Sequence, residues 1–312
     1  MDGSTAPQRA ASSPSRGIVT SVIVANSVVF GANFVALTIG LEYSGPFTLQ
    51  AWAVLSAALA VAVAGVVTRQ VPTLPRQQLA AAFPISLTLT VIPASGVVVG
   101  VARVSAGVAA LIVSLAPVIT LTLSGLLARR RIEPQQLLGM GLGAVGVTLV
   151  TLSTEERTVT ELVGILSLLT AAVSWAVGLL LTKRLTVGES PLAFVTWQLA
   201  LGAPVLFAIA LVVEGLEASW GPAYLVAIVW SGALSKGIGS VLQYKTTGWS
   251  SPIHASLAAF LVPVVAVALA ALLVDEPIVP AHGVGAFCVG IGVAIVRRTG
   301  RGEDTPIADR RR

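Results

Sequence analysis

One charged side chain, Lys236, lies inside a long apolar run, 222–244, and it is the residue best suited to binding chemistry. A lysine at the centre of a membrane helix costs roughly 2.5–3.5 kcal/mol on insertion scales, so it is rarely placed there without a role. At α-helical spacing Lys236 shares one stripe with Gly232, Ser240 and Gln243, which predicts a small, polar face directed away from lipid. We interpret Lys236 as a cation for a substrate carboxylate. The alternative is a structural lysine that pairs with backbone carbonyl groups or extends its stem towards water.

Two carboxamides and one aromatic ring follow a single face of the first apolar run. Asn26, Phe30 and Asn33 stand at i, i+4 and i+7 spacing near the middle of that run. Such a face could bind a polar solute and stack on its apolar part, or it could form hydrogen bonds between helices, worth under about 2 kcal/mol each. Trp175 lies at the equivalent depth of the run 162–182, where it forms a wall of the site or fills a packing gap. These residues are predicted to bind substrate together with the lysine.

Two prolines interrupt the middle of the fourth and ninth apolar runs. Pro117 and Pro263 each lack a backbone N–H, and each frees the carbonyl group four residues earlier. Ser114 is close enough in sequence to satisfy a carbonyl group freed by Pro117, and it completes the predicted substrate-site residues. We interpret both prolines as kinks that shape the site or act as hinges. The alternative is a tolerated kink of the kind common in membrane helices.

A glycine pattern within the run 135–152 imitates a dinucleotide-binding motif. Gly141, Gly143 and Gly146 match G-x-G-x-x-G, but no strand precedes them and no helix begins there, so a nucleotide site is not expected. Small residues four apart, such as Gly139 and Gly143, instead allow helices to pack closely. This leaves packing within one chain and a homodimer contact through the glycine-rich fifth and tenth helices both open.

The sequence lacks a constellation of catalytic or metal-ligating residues. The two histidines, His254 and His282, and the single cysteine are isolated, so neither a metal nor another cofactor is expected. There is no glycine-rich phosphate loop of the ATP-hydrolysing kind. The apolar runs contain no aspartate or glutamate, and Ser251 near His254 has no acid to orient it. We therefore predict that the protein is not an enzyme.

The composition excludes a water-soluble fold. Of the 312 residues, 55% are hydrophobic and 11% are charged, and the mean hydropathy is +0.90. A soluble domain carries about 25% charged residues. Ten apolar runs are long enough for helical crossings, at 18–40, 48–67, 79–101, 106–128, 135–152, 162–182, 191–213, 222–244, 253–274 and 280–296. None shows the alternating polarity of a barrel strand, so the predicted fold is an all-α integral membrane protein with ten transmembrane helices.

The lysines and arginines predict how the chain is oriented. With the N-terminus inside, sixteen of them fall in inner segments, two fall in outer segments, and Lys236 remains within a span. This positive-inside asymmetry predicts a multi-pass protein of the inner cell membrane with both termini in the cytoplasm. Residues 1–17 are predicted to be a disordered tail, and residues 299–312 a basic tail lying against anionic headgroups. Because the basic residues are dispersed among loops, the pI near 10 does not indicate nucleic-acid binding.

The second half of the sequence repeats the first at an offset of 145–146 residues. Matched residues include the pairs Pro46 and Pro191, Trp52 and Trp197, and Pro117 and Pro263. The predicted repeats, 18–152 and 160–298, hold five runs each. Because five is odd, the second copy must cross the membrane upside down, which gives two inverted five-helix repeats. Inverted repeats are typical of secondary transporters with a substrate site near mid-membrane.

Three motifs resemble the EamA-type transporters of the drug/metabolite transporter superfamily. They are Phe30-Gly-Ala-Asn33-Phe-Val, Ser105-Ala-Gly-Val-Ala-Ala-Leu continuing to Leu115-Ala-Pro117-Val, and Ala271-Leu-Leu-Val-Asp-Glu276-Pro. The resemblance extends from about residue 18 to residue 298. Phe30 stands where the family often has tryptophan, and Arg130 stands where the first copy usually has the glutamate that Glu276 keeps in the second. The resemblance implies ten helices, efflux or uptake of small metabolites, and no use of ATP.

Together these observations predict a secondary transporter that moves a small organic metabolite across the cell membrane by alternating access. The lone lysine and the amide-aromatic face favour an amphipathic solute with a carboxylate, such as an amino acid, moved by efflux or exchange. The alternatives are a passive metabolite channel or facilitator and a multidrug exporter. The expected partners are the solute and the lipid bilayer, without nucleic acid or nucleotide.

Overall fold

The structure, a computed structural model, describes residues 16–70, 76–127, 134–152, 158–185, 191–247, 252–278 and 280–299. Among these residues the fold is all-α, as the sequence predicts: they form no β-strand, and one isolated antiparallel bridge joins Ser44 to Ala218. The predicted tails, 1–17 and 299–312, lie outside the described residues, apart from residues 16, 17 and 299, which are helical.

Thirteen α-helices follow one another along the described chain. The part of the chain predicted as the first repeat holds α1 Arg16–Leu41, α2 Pro46–Val67, α3 Arg76–Ser86, α4 Ile92–Val101, α5 Ala106–Val113, α6 Ala116–Leu127 and α7 Pro134–Leu152. The part predicted as the second holds α8 Val159–Leu185, α9 Pro191–Val213, α10 Pro222–Val229, α11 Ser240–Thr247, α12 Pro252–Leu273 and α13 Pro280–Thr299. Several helices begin at a proline, which has the right φ for the first turn and no N–H to leave unpaired there.

Seven helical stretches in the described residues are long and apolar enough to cross a membrane. They are Gly17–Leu41, Pro46–Val67, Ala82–Val101, Ala106–Leu127, Val159–Thr182, Leu192–Val213 and Pro222–Gln243. Two shorter apolar stretches, Leu261–Leu273 and Pro280–Ile295, follow in α12 and α13. Helices lie over all ten predicted runs, and the number of actual crossings remains a prediction.

Two wide turns and one break interrupt the regular helices. π-helical segments join α3 to α4 at Leu87–Val91 and α10 to α11 at Trp230–Gly239. The fourth predicted run breaks between α5 and α6, just before Pro117, whose ring clashes with the carbonyl group four residues earlier in a regular helix. Beyond the break, the N–H groups of Val118 and Ile119 both donate to Leu115 O, at 2.9 and 3.0 Å. By contrast, α12 runs past Pro263 without a break, so the two matched prolines act differently on their helices.

The helices pack in pairs, chiefly α7 with α13, α2 with α9, α4 with α8 and α1 with α12. In the α7–α13 pair, a methyl group added at Gly146 would lie 2.8 Å from Gly285 O, and one at Gly292 would overlap Gly139 O. The glycine-rich faces of the fifth and tenth runs therefore serve packing within one chain. Because lipid is as apolar as these helices, close packing of this kind is what holds them together.

Large apolar side chains also cover the outside of the bundle. Val67, Val212 and Leu272 are 75%, 85% and 76% exposed, on three different helices. An extensive exposed apolar surface is expected where a protein contacts lipid.

Candidate functional site

The π segment Trp230–Gly239 positions Lys236. The Lys236 ammonium donates to the Ser231 hydroxyl at 2.7 Å and to the Ser231 carbonyl oxygen at 3.3 Å. These partners lie five residues earlier because a π-helix brings residues i and i+5 together. The α-helical spacing expected from the sequence pairs Lys236 with Gly232 instead, and this π segment does not follow that spacing.

Glycines bring the π segment against α2. A methyl group at Gly232 would overlap Ala53 O and Ser56 Oγ, and one at Gly237 would lie 3.2 Å from Ala57 O. Backbone contacts this close require residues without a side chain. The backbone on both sides of Lys236 is thus fixed against α2.

A second neighbour of the π segment is α1, which carries three of the predicted site residues, Asn26, Phe30 and Asn33. Trp230 Nε1 donates to Val29 O at 3.3 Å. A methyl group at Gly239 would lie 3.1 Å from Asn26 Oδ1 and 3.5 Å from Phe30 Cζ. The structure therefore brings Asn26 and Phe30 against the segment that carries Lys236.

The amides of α1 contribute unused acceptors. Asn26 Oδ1 and Asn33 Oδ1 are buried, and neither has a hydrogen-bond partner in the described part of the chain. Buried polar atoms in proteins are nearly always paired, so two such atoms on one helix face are unusual.

The other two polar residues of the predicted site lie on α11. Ser240, the first residue of α11, is half-buried, and Gln243 is exposed one turn later.

Lys236 has no carboxylate partner among the residues that the structure describes, where both of its hydrogen bonds go to Ser231. A cation shielded from water without a counter-ion is costly, and an incoming anion relieves that cost. The arrangement therefore places a positive charge and the amide oxygen of Asn26 on neighbouring helical segments.

Trp175 and Ser114 make contacts elsewhere. Trp175 packs on a buried cluster built around α2 and α9, and its neighbour Ser174 donates to Thr88 O in the other π segment at 2.9 Å. Ser114 is buried, and its hydroxyl donates to Ala110 O at 2.7 Å, one turn earlier than the carbonyl that Pro117 frees. Their contribution to a substrate site stays a prediction.

A second polar group, absent from the predicted site, surrounds the π segment Leu87–Val91. Gln198 Nε2 donates to Thr90 Oγ1 at 3.0 Å, and Ser86 Oγ donates to Gln198 O at 2.6 Å. Thr90 stands 146 residues before Lys236, which is the offset of the predicted repeat. Gln50 is 0% exposed, and neither atom of its amide has a partner in the described residues. A carboxamide side chain inside an apolar run is the sequence feature that could have identified Gln50 and Gln198 as candidates.

A cavity of about 430 Å³ lies between α4 and α8, with Val91 of the π segment Leu87–Val91 in its wall. Its wall is mostly apolar, with the hydroxyl groups of Ser95, Ser167 and Thr170, and Ile209 of α9 at one side. None of the predicted site residues lines it.

Comparison with known proteins shows one consistent likeness. The model of the EamA-like transporter family matches the chain twice, at residues 17–152 and 162–298, well over half of its length. Protein PecM of Dickeya dadantii (strain 3937) is 30% identical over 204 residues, 62% of this chain. That match spans 66% of the length of PecM, just under two thirds.

Two further comparisons agree with this likeness. An uncharacterized transporter of Archaeoglobus fulgidus is 26% identical over 200 residues, 64% of this chain and 70% of that protein. A solved crystal structure superposes with a TM-score of 0.67 at 16% identity, covering 91% of this chain and 99% of the other. At that identity the superposition shows a shared fold alone.

Proposed function

Since the chain belongs to the EamA-like transporter family, and is a transporter and not an enzyme, we propose that it is a secondary transporter for a small, carboxylate-bearing organic metabolite. Amino acids and similar amphipathic solutes are the preferred class. Transport proceeds by alternating access, in the direction of efflux or as exchange.

The observation that carries the substrate class is the unpaired charge of Lys236. Its ammonium has hydroxyl and carbonyl partners on its own segment but no carboxylate in the described residues, so a substrate carboxylate would complete it. Asn26 Oδ1, on the helix packed against that segment, is a buried acceptor for which the described residues supply no donor. A zwitterionic solute supplies both missing partners, an anion for Lys236 and an N–H donor for Asn26.

The helix pairing supports ten crossings arranged as two inverted repeats. Exchanging each predicted run with the run five places along maps α2–α9 and α7–α13 onto themselves. The same exchange maps α4–α8 onto α1 with its π-containing neighbour, and α1–α12 onto α8 with α5 and α6, and all of these helices are in contact. The two π segments also fall at equivalent positions. Such symmetry allows two conformations related by exchange of the halves.

The remaining proposals rest on charge and on exposed surface. The distribution of lysine and arginine supports a location in the inner cell membrane with both termini in the cytoplasm.

Because the glycine faces of α7 and α13 pack within the chain, a homodimer through these helices would use their outward side chains. These include Leu138, Val145 and Phe287, whose side chains are at least half exposed.

Counterflow in liposomes tests the proposal. Reconstituted protein preloaded with unlabelled solute is offered radiolabelled amino acids, organic acids and lipophilic cations. We expect saturable counterflow of a carboxylate-bearing solute, lost in Lys236→Ala and kept in Arg103→Ala, which removes an exposed cation at a loop. Flux that neither saturates nor shows counterflow would indicate a passive channel. Transport of lipophilic cations alone, unaffected by Lys236→Ala, would indicate a multidrug exporter.

A further inference from the structure

We propose that Glu214 and Glu276 are gate residues of the transport cycle. Each carboxylate ties a helix end of the second repeat to a helix start of the first, and both must release before solute can pass that face of the protein. We name this the carboxylate face; it is formed by residues 42–45, 102–105, 214–221 and 274–278. The inference rests on the proposed function, because a gate presupposes alternating access.

Glu214 caps a helix to which it does not belong. The N-terminal N–H groups of a helix need acceptors from outside, and the residue before α2, Gly45, has no side chain to supply one. Glu214, just after α9, takes that place. Its Oε1 accepts from Phe47 N at 3.0 Å, and its Oε2 accepts from Thr48 N at 2.8 Å and from Thr48 Oγ1 at 2.9 Å.

Glu276 makes the same kind of contact at another helix. It follows α12, and its Oε1 accepts from Ala106 N, the first residue of α5, at 2.9 Å. The α5 cap is shared with Ser105, whose Oγ accepts from Val108 N at 3.3 Å. A carboxylate at a helix N-terminus forms charge-assisted hydrogen bonds and also meets the positive end of the helix dipole.

Neutral contacts close the same face between the two repeats. Ser219 N donates to Tyr43 O at 2.8 Å, and Tyr224 OH donates to Ser44 Oγ at 2.9 Å. Every one of these contacts joins the first repeat to the second. Moving the halves apart at the carboxylate face therefore breaks both carboxylate caps and these bonds together.

The gate belongs to one face only. In an inverted repeat, the counterparts of Glu214 and Glu276 lie on the opposite face. At an offset of 145–146 residues those counterparts are Thr68 or Arg69 for Glu214 and Arg130 for Glu276, so no carboxylate occupies either position. The sequence therefore places this pair of carboxylates on one face only.

Gly45 provides a second way to disturb the gate without changing either carboxylate. Its φ of −63° and ψ of 156° suit any residue, so alanine introduces no backbone strain. A methyl group there would overlap the Glu214 carboxyl group, however. Gly45→Ala should therefore displace the Glu214 carboxylate from α2.

The test measures the distance across the carboxylate face in liposomes. Nitroxide labels are attached at Glu42→Cys and Glu217→Cys, two exposed positions in different repeats, after Cys288→Ala removes the native thiol. Pulsed electron paramagnetic resonance then gives the distance distribution. We expect a single narrow distance in the parent. Glu214→Gln, Glu276→Gln and Gly45→Ala should each add a longer-distance population, at least doubled in the double glutamine variant. Glu161→Gln, a control at the start of α8 on the same face, should leave the distribution unchanged.

An unchanged distribution in the double glutamine variant and in Gly45→Ala overturns the gate. If the glutamine variants fail to fold, Gly45→Ala decides the question alone, because it keeps both carboxylates. The measurement needs no substrate. A longer-distance population in a protein without counterflow would therefore refute the proposed function while preserving the carboxylate contacts, and counterflow with unchanged distances would refute the gate alone.

Discussion

The ammonium group of Lys236 lies 2.7 Å from the hydroxyl oxygen of Ser231, five residues earlier in the same helical segment. Ser231 is 0% exposed, so its hydroxyl is held in place by its surroundings and fixes the lysine in turn. A lysine stem is flexible and loses considerable conformational freedom when it is positioned. Ser231 supplies that positioning before the substrate arrives.

Replacing Ser231 by alanine should weaken substrate binding. The ammonium loses one hydrogen bond, and bonds to charged groups are worth about 1.5–3 kcal/mol, although the retained contact to Ser231 O offsets part of that loss. We expect the half-saturation concentration for counterflow to rise about tenfold, which corresponds to 1.4 kcal/mol. Ser235→Ala, at a second buried serine of the same segment, is the control. Equal losses in both variants would contradict the positioning role.

Gly232→Ala should destabilise the protein. The added methyl group meets Ala53 O and Ser56 Oγ, so the π segment must move away from α2. Overpacking of this kind lowers the free energy of unfolding by about 1–3 kcal/mol. Thermal unfolding in detergent measures the effect, with Gly141→Ala as the control, because a methyl group there meets no atom within 4 Å. Equal unfolding temperatures for the two variants would count against the tight contact.

Pro117→Ala should slow transport more than Pro263→Ala does. The helix breaks before Pro117 but continues past Pro263, so alanine at 117 permits a new continuous helix where the native chain has a joint. The measurement is the initial rate of counterflow per amount of folded protein. A larger loss of transport rate in the Pro263 variant would show that the break at residues 114–115 is not a hinge of the transport cycle.

Gln50→Leu separates a structural from a binding role for a buried amide. Neither amide atom of Gln50 has a partner in the described residues, and an unsatisfied buried group costs about 1–3 kcal/mol. Leucine of similar size should therefore raise the unfolding temperature. If Gln50 also binds the solute, counterflow should fall in the same variant. A lower unfolding temperature would mean that the amide has structural partners in the native protein.

The helical elements were predictable because each apolar run is long and is bounded by charged or helix-ending residues. In a bilayer such a run forms a helix, since its backbone polar groups must be paired internally. Asn26 and Lys236 were identified as candidate site residues because a charge or an amide in such a run has few tolerable positions, and their role in binding stays a prediction.

The finer geometry could not be predicted. The π segments change the spacing at which side chains meet, and no residue type in Trp230–Gly239 identifies a π-helix from the sequence. Ser231 was therefore not predicted as the partner of Lys236. The caps made by Glu214 and Glu276 join residues more than 160 positions apart, and such pairings depend on how whole helices pack.

The π segments have a consequence for motion. A π turn holds about one residue more than an α turn, so conversion of a π segment to an α-helix would rotate the residues on one side of it by about 100°, the angle per residue of an α-helix. Such a conversion of Trp230–Gly239 would turn Lys236 away from Ser231, and an anion bound to the ammonium group would turn with it.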